Sequence, residues 1–135
     1  MTAFADADEL YRYMGAIFEE AFADAEVRKR FADSGVVLKL KFTDPPAALV
    51  IDMVNGTVTR GDDGAKPTVE MTTTGDVGHR FWLGKVDIAL ALLKGEIRAK
   101  GPIAKIIKLV PVARQVFPRY RELLERAGRQ DLLDA

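Results

Sequence analysis

The chain has no cysteine, and it has one histidine, one serine and one tryptophan among 135 residues. Without cysteine there is no disulfide, no thiolate zinc site and no Cys nucleophile, a composition that fits a reducing interior. The single serine, Ser34, stands beside a predicted helix end and not in an elbow motif, so serine hydrolysis has little footing. Neither GDDG (61–64) nor GPIAKI (101–106) continues as Gly-Lys-Ser/Thr, so no phosphate loop is present. Charge of neither sign dominates: 20 basic and 20 acidic residues sum to a formal net charge of zero, which argues against a dedicated nucleic-acid binder. No apolar run is long enough to span a bilayer. The acidic N-terminus, MTAFADADEL, lacks the pattern of a signal peptide, and DLLDA is not a peroxisomal tripeptide. The expected localisation is cytoplasmic.

The residues that are present describe a globule. Apolar residues make up 48% of the chain and charged residues 30%, ordinary values that speak against disorder. A chain of this length is read as one domain over 1–135, burying about two-thirds of the surface it exposes unfolded. Its charge is uneven. Asp6, Asp8, Glu9, Glu19, Glu20, Asp24 and Glu26 make the first quarter acidic, whereas Lys94, Arg98, Lys100, Lys105, Lys108, Arg114, Arg119, Arg121, Arg126 and Arg129 make the end basic. If those bases share a surface, they would attract anionic head groups or an acidic partner. The plainer reading is a solvated face.

Periodicity divides the chain into N-terminal helices (1–34), a sheet-and-helix core (35–110) and C-terminal helices (111–135). Leu10, Met14, Ile17, Phe18 and Ala21 form a helical stripe capped by Asp6 or Asp8. Asp24 caps a second helix that Ser34-Gly35 ends. VVLKLKF then alternates apolar and lysine residues as a half-buried strand. LVIDM, TVTR and PTVEMTTT come next as strands, separated by DPP, Asn55-Gly56 and GDDG turns. Hairpin-length connections predict that these four strands run antiparallel. DVGHRFWLG reads as a short helix. The next, Ile88–Leu93, is apolar at every position and so has no polar flank to show water. EIRAK is a fifth strand. Pro102 suits a first helical position. Ile103, Ile106, Ile107 and Val110 form one face of the next helix, and Pro111 and Pro118 break the remaining helical segment. Helices in blocks around a hairpin-rich sheet indicate an α+β layer fold.

Catalytic groups are scarce. His79 lies three residues after Asp76, a weak pairing for metal or acid–base work. The plainer expectation is an exposed surface histidine. Asp62 and Asp63 lack the further oxygen ligands of a calcium loop and read as turn residues. More prominent is the apolar helix surface in Phe81, Trp82, Leu83, the 88–93 run and the isoleucine face of 103–110.

From Val37 to about Leu109 the ordered segments LKLKF, ALVIDMVNGTV, PTVEMTTT, FWLGKVD, ALALLKGEIRAKG and IAKIIKL resemble the sterol carrier protein 2 family. The chain departs from it at Pro102, where family members often carry a polar or acidic residue. The resemblance implies a five-stranded, mainly antiparallel sheet with helices covering one face and an apolar tunnel between them. It implies a non-catalytic protein with no cofactor and no metal, which binds or transfers a fatty acid, acyl-CoA, sterol-like or related lipid. The apolar candidates for such a site are Leu40, Ile51, Met53, Met71, Phe81, Trp82, Ile88, Leu92, Ile103, Ile106, Ile107, Val110, Val116, Phe117 and Tyr120. Arg98, Lys100 and Lys105 are candidates to meet a head group. Transient contact with a membrane surface is a further expectation. The alternative is an interaction or accessory module with a filled cavity, working through a homodimer or an enzyme partner.

Overall fold

The computed structural model describes residues 2–61 and 66–135. The GDDG turn, with Asp62 and Asp63, lies largely outside the described residues. The chain opens with α1 (Ala7–Leu10), a π-helical turn (Tyr11–Gly15) and α2 (Ala16–Ala23), then α3 (Ala25–Asp33). Asp6 accepts a hydrogen bond from the Glu9 N–H (2.9 Å), and Asp24 accepts from Glu26 and Val27 (3.0 and 3.2 Å). Each satisfies donors that a helix start leaves open.

Five strands form one sheet in the order β3-β2-β1-β4-β5. They are β1 (Val37–Thr43), β2 (Ala47–Asp52), β3 (Thr57–Arg60), β4 (Val69–Thr74) and β5 (Arg98–Lys100). The β1–β2, β2–β3 and β4–β5 pairs are antiparallel, but β1 and β4 are parallel. The expectation of four antiparallel strands therefore fails at one junction. β4 does not fold back on β3; it crosses to the other side of β1. The hairpins themselves form where expected. In the β2–β3 turn Asp52 accepts from the Asn55 N–H and side-chain amide (3.0 and 2.8 Å), which hold its carboxyl below the usual range, and Gly56 takes φ 69°. Between β1 and β2 the Asp44–Pro45 peptide is cis.

Register sorts the sheet into two faces. Leu38, Leu40 and Phe42 of β1 stand beside Ile51, Leu49 and Ala47 of β2 and beside Val69, Met71 and Thr73 of β4. This apolar face meets the helices. The opposite face carries Lys39, Lys41, Glu70 and Thr72, with Lys41 paired to Glu70 at 3.1 Å. β5 ends at Gly101, where φ is 108° and a Cβ would overlap the Thr68 carbonyl. Only glycine lets the chain leave the sheet there.

α4 (Gly75–Trp82) starts directly from β4, with the Thr74 hydroxyl accepting from Val77 (3.1 Å). α5 (Ile88–Lys94) is capped by Asp87, which accepts from Leu90 (3.1 Å), and ends at Gly95 with φ 77°. α6 (Ile103–Arg114) begins one residue after Pro102 and runs through Pro111. The missing Pro111 N–H would have bonded the Ile107 carbonyl. Both residues are on the exposed side of α6, where a carbonyl without its helical partner is open to solvent. The break falls instead at Gln115–Val116, before α7 (Phe117–Arg126) and α8 (Gln130–Leu133).

The acidic start and basic end of the chain meet. Arg119 pairs with Asp24 (2.9 Å), Arg126 with Glu20 (3.5 Å) and Arg129 with Glu9 (3.2 Å). His79 is not the surface residue the sequence suggests: its exposure is 0%. Its Nε2 lies 2.8 Å from the Leu132 carbonyl and its Nδ1 2.6 Å from the Tyr120 hydroxyl. A carbonyl only accepts, so Nε2 carries the proton and Nδ1 accepts from Tyr120. The neutral ring thus satisfies both partners and ties α4 to α7 and α8. No helix of the described residues is long and apolar enough to cross a membrane.

Gly101→Ala meets both a strained φ and the Thr68 carbonyl, and is expected to cost about 2 kcal/mol or more by denaturant unfolding; a loss under about 0.5 kcal/mol would show that β5 leaves the sheet differently. Burial holds the His79 ring below the ordinary value of 6.5. The unfolded chain therefore binds the extra proton first, so this contribution to stability is complete above that value and is lost as pH falls below it. His79→Gln is expected to cost about 2–4 kcal/mol at neutral pH and to flatten the dependence of melting temperature on pH between about 7 and 5.5. An unchanged slope would assign that dependence to another group.

Candidate functional site

Between the apolar sheet face and the helices lies an apolar cavity that offers about 100 Å³ to the centre of a water-sized sphere, within about 750 Å³ of non-atom space counted out into the solvent at its opening. Its floor is the inner row of the central strands: Leu38, Leu40 and Phe42 of β1, with Met71 and Thr73 of β4. Val77, Gly78, Phe81 and Trp82 of α4 form one wall. Ile106, Leu109, Val110 and Ala113 of α6 form another. Met14 of the π-helical turn, Phe18, Phe31, Met53, Ile88 and Ile97 complete the lining.

The local reasons are simple. Alternation on β1 and β4 turns every second residue to one side. The positions used on α6 follow the i, i+3, i+4, i+7 pattern of a single helix face. Gly78 lets α4 approach β1, since a Cβ there would stand 3.0 Å from the Phe42 ring. Trp82 is held by its neighbours: Phe18 meets it edge-on at 5.3 Å, Phe81 at 5.2 Å and Phe117 at 5.9 Å, and Tyr120 leans on it at 6.5 Å. Tyr120 is in turn fixed by His79, and its burial raises the phenol pKa above its usual value.

The lining holds no acid, base or charged side chain. Thr73 is its one hydroxyl, and that group already donates to the Glu96 carbonyl (2.9 Å). Among the described residues no cluster of His, Asp and Glu is placed to hold a metal ion. Asp76 accepts from the Ala3 N–H, and both ring nitrogens of His79 are occupied, so the two do not form an acid–base couple.

Of the apolar candidates, Leu40, Met53, Met71, Phe81, Trp82, Ile88, Ile106 and Val110 meet around this cavity. The others sit elsewhere. Ile51 is buried on the sheet between Leu38 and Val58. Val116 and Tyr120 are buried behind the wall, and Phe117 packs edge-on against Phe81 and Trp82 without reaching the lining. Leu92 and Ile103 are half-buried, and Ile107 faces solvent. Arg98 and Lys100 lie opposite Thr72 and Glu70, so register puts them on the sheet face away from the cavity; Ala99 between them shares the side of Met71. Lys105 is exposed on α6. Leu38, Phe42, Leu109 and Ala113 line the cavity without being among the sequence candidates, although each continues the period of a residue that is. Met14 and Phe18 are likewise absent from the candidates and belong to the first helical stripe.

No family model matches the chain, and no curated protein matches it at a significant level. Solved structures do. The sterol carrier protein domain 2 of Helicoverpa armigera superposes with a TM-score of 0.67 at 23% identity, covering 81% of this chain and 88% of its own. The apo form of sterol carrier protein 2 from Yarrowia lipolytica gives 0.58 at 17% identity, over 75% of this chain and 87% of that one. Sterol carrier protein-2 from Aedes aegypti, in complex with the C16 fatty acid palmitate, gives 0.54 at 19% identity, over 73% and 94%. Identities this low establish architecture and not activity. The five-stranded mixed sheet with its helical cover is the sterol carrier protein 2 fold.

Proposed function

We propose that the protein binds one elongated apolar guest, a fatty acyl chain or a lipid of similar shape, in the cavity between β1/β4 and α4/α6, and does no chemistry on it. The observation that carries this reading is the lining, which is apolar throughout except for a Thr73 hydroxyl already engaged with Glu96. Such a site recognises length and width. Burying each methylene contributes about 0.8 kcal/mol, so a long chain is held without any charged contact. Palmitate in the Aedes aegypti protein of the same fold supports the same ligand class. With Arg98 and Lys100 on the far sheet face, the guest's polar end would be left at the cavity's opening rather than clamped inside.

One observation favours the alternative of an interaction module, the exposure of Leu93 at 83%. Such a module would work through a second copy or an enzyme partner and would leave the cavity without a guest.

Displacement of a fluorescent fatty acid separates the two. Fatty acids of increasing length are expected to compete at micromolar levels, each methylene improving affinity about fourfold until the cavity is filled. Absence of competition at every length would defeat the proposal. Ala113→Phe places a ring in the cavity. It is expected to weaken binding at least about tenfold while leaving stability nearly unchanged, whereas overpacking a solid interior would cost about 1–3 kcal/mol.

A further inference from the structure

α5 is apolar on both sides. Ile88 and Ala91 point inward, while Ala89, Leu90 and Leu93 face solvent, Leu90 at 47% and Leu93 at 83% exposure. α6 packs beside it and exposes Ile107 at 44%. Single exposed apolar residues need no explanation, but a group of them on two adjoining helices does.

The charges around them are one-sided. From Ile88 to Arg114 the chain carries six basic residues and one acidic residue, Glu96, although the whole chain is neutral. Of the bases further along the chain, Arg119, Arg126 and Arg129 are taken up by Asp24, Glu20 and Glu9. Lys94, Lys105, Lys108 and Arg114 are exposed and, among the described residues, have neither an ion pair nor a side-chain hydrogen bond. Exposed alkyl groups bordered by unpaired cations complement an anionic lipid surface. The leucines and isoleucine enter the acyl boundary, and the lysine stems go with them while their ammonium groups meet phosphates. A second copy fits less well, because a two-fold contact through the same patch sets lysine against lysine.

We propose that the outer surface of α5 and α6 is where the protein docks on an anionic membrane. The same two helices supply Ile88, Ile106, Leu109, Val110 and Ala113 to the cavity. Docking there lays the cavity's helical wall against the bilayer, with lipid on the outer side of that wall and the guest on its inner side. This builds on the reading of the cavity as a lipid site, because the membrane then becomes the source or destination of the guest.

Co-sedimentation with vesicles tests it, using pure phosphatidylcholine and phosphatidylcholine containing phosphatidylserine. The wild type is expected to bind the anionic vesicles, weakly or not at all the neutral ones, and to be released by salt. Leu90→Ser/Leu93→Ser and Lys94→Glu/Lys105→Glu/Lys108→Glu are each expected to reduce binding about tenfold or more with unchanged melting temperature, since these side chains are already solvated. Ala113→Phe, which blocks the cavity, is expected to bind vesicles as the wild type does, so the two proposals fail separately. Wild-type protein that ignores anionic vesicles would overturn the docking surface, as would variants that bind undiminished. Light scattering that shows a dimer abolished by the leucine substitutions would also overturn it, and would assign the patch to self-association.

Discussion

The structure depends on keeping α4 and α6 at a distance from the sheet they cover. An apolar void is costly because its lining forgoes contacts on one side, and flexible walls would close on it. The walls here are braced by their neighbours. Trp82 is hemmed in by Phe18, Phe81 and Phe117, and Tyr120 behind it is held by His79, which also grips α8 through the Leu132 carbonyl. The one buried imidazole is thus a bracket. It sets α7 and α8 against α4, and α4 in turn keeps the cavity's aromatic wall upright over β1.

The same economy governs charge. The acidic N-terminal helices and the basic C-terminal helix meet through three pairs, which accounts for much of the asymmetry along the chain. Such partly exposed pairs contribute little stability each. Their consequence is organisational: they join the two ends of the chain, whereas Lys94, Lys105, Lys108 and Arg114 have no ion pair among the described residues. Apolar groups line the cavity, and along α5 and α6 exposed Leu90, Leu93 and Ile107 stand among lysines.

Much of this is legible in the residues because it is local. Alternation in LKLKF needs no tertiary information to separate Leu38, Leu40 and Phe42 from Lys39 and Lys41. Asp24 and Asp87 cap the helices they precede, and Gly95 ends the one before it, for reasons confined to four or five residues. The misreadings share a different character. The parallel pairing of β1 with β4 depends on which strand edge is vacant, and no hairpin signal encodes that. Pro111 remains within α6 on the helix's exposed side, where the loss of its N–H costs least. His79 is buried because Tyr120 and Leu132, 41 and 53 residues away in sequence, converge on it. Seven of the fifteen apolar candidates lie away from the cavity for the same reason: period identifies a helix's apolar face, but not which neighbour that face meets.

The sequence by itself determined the α+β class, the elements and their caps, the two-faced sheet and the excess of apolar helix surface, since short-range sterics and hydrogen bonding decide all of these. It also carried, in the order of its motifs, the likeness to the sterol carrier protein 2 fold. Only the tertiary structure decided that β4 joins the sheet beside β1, that Arg98 and Lys100 turn from the cavity while Ala99 faces the helices, and that Leu93 stays in solvent. Each of these is a question of which distant surfaces touch, and contact across such separations is set by the packing of the whole chain.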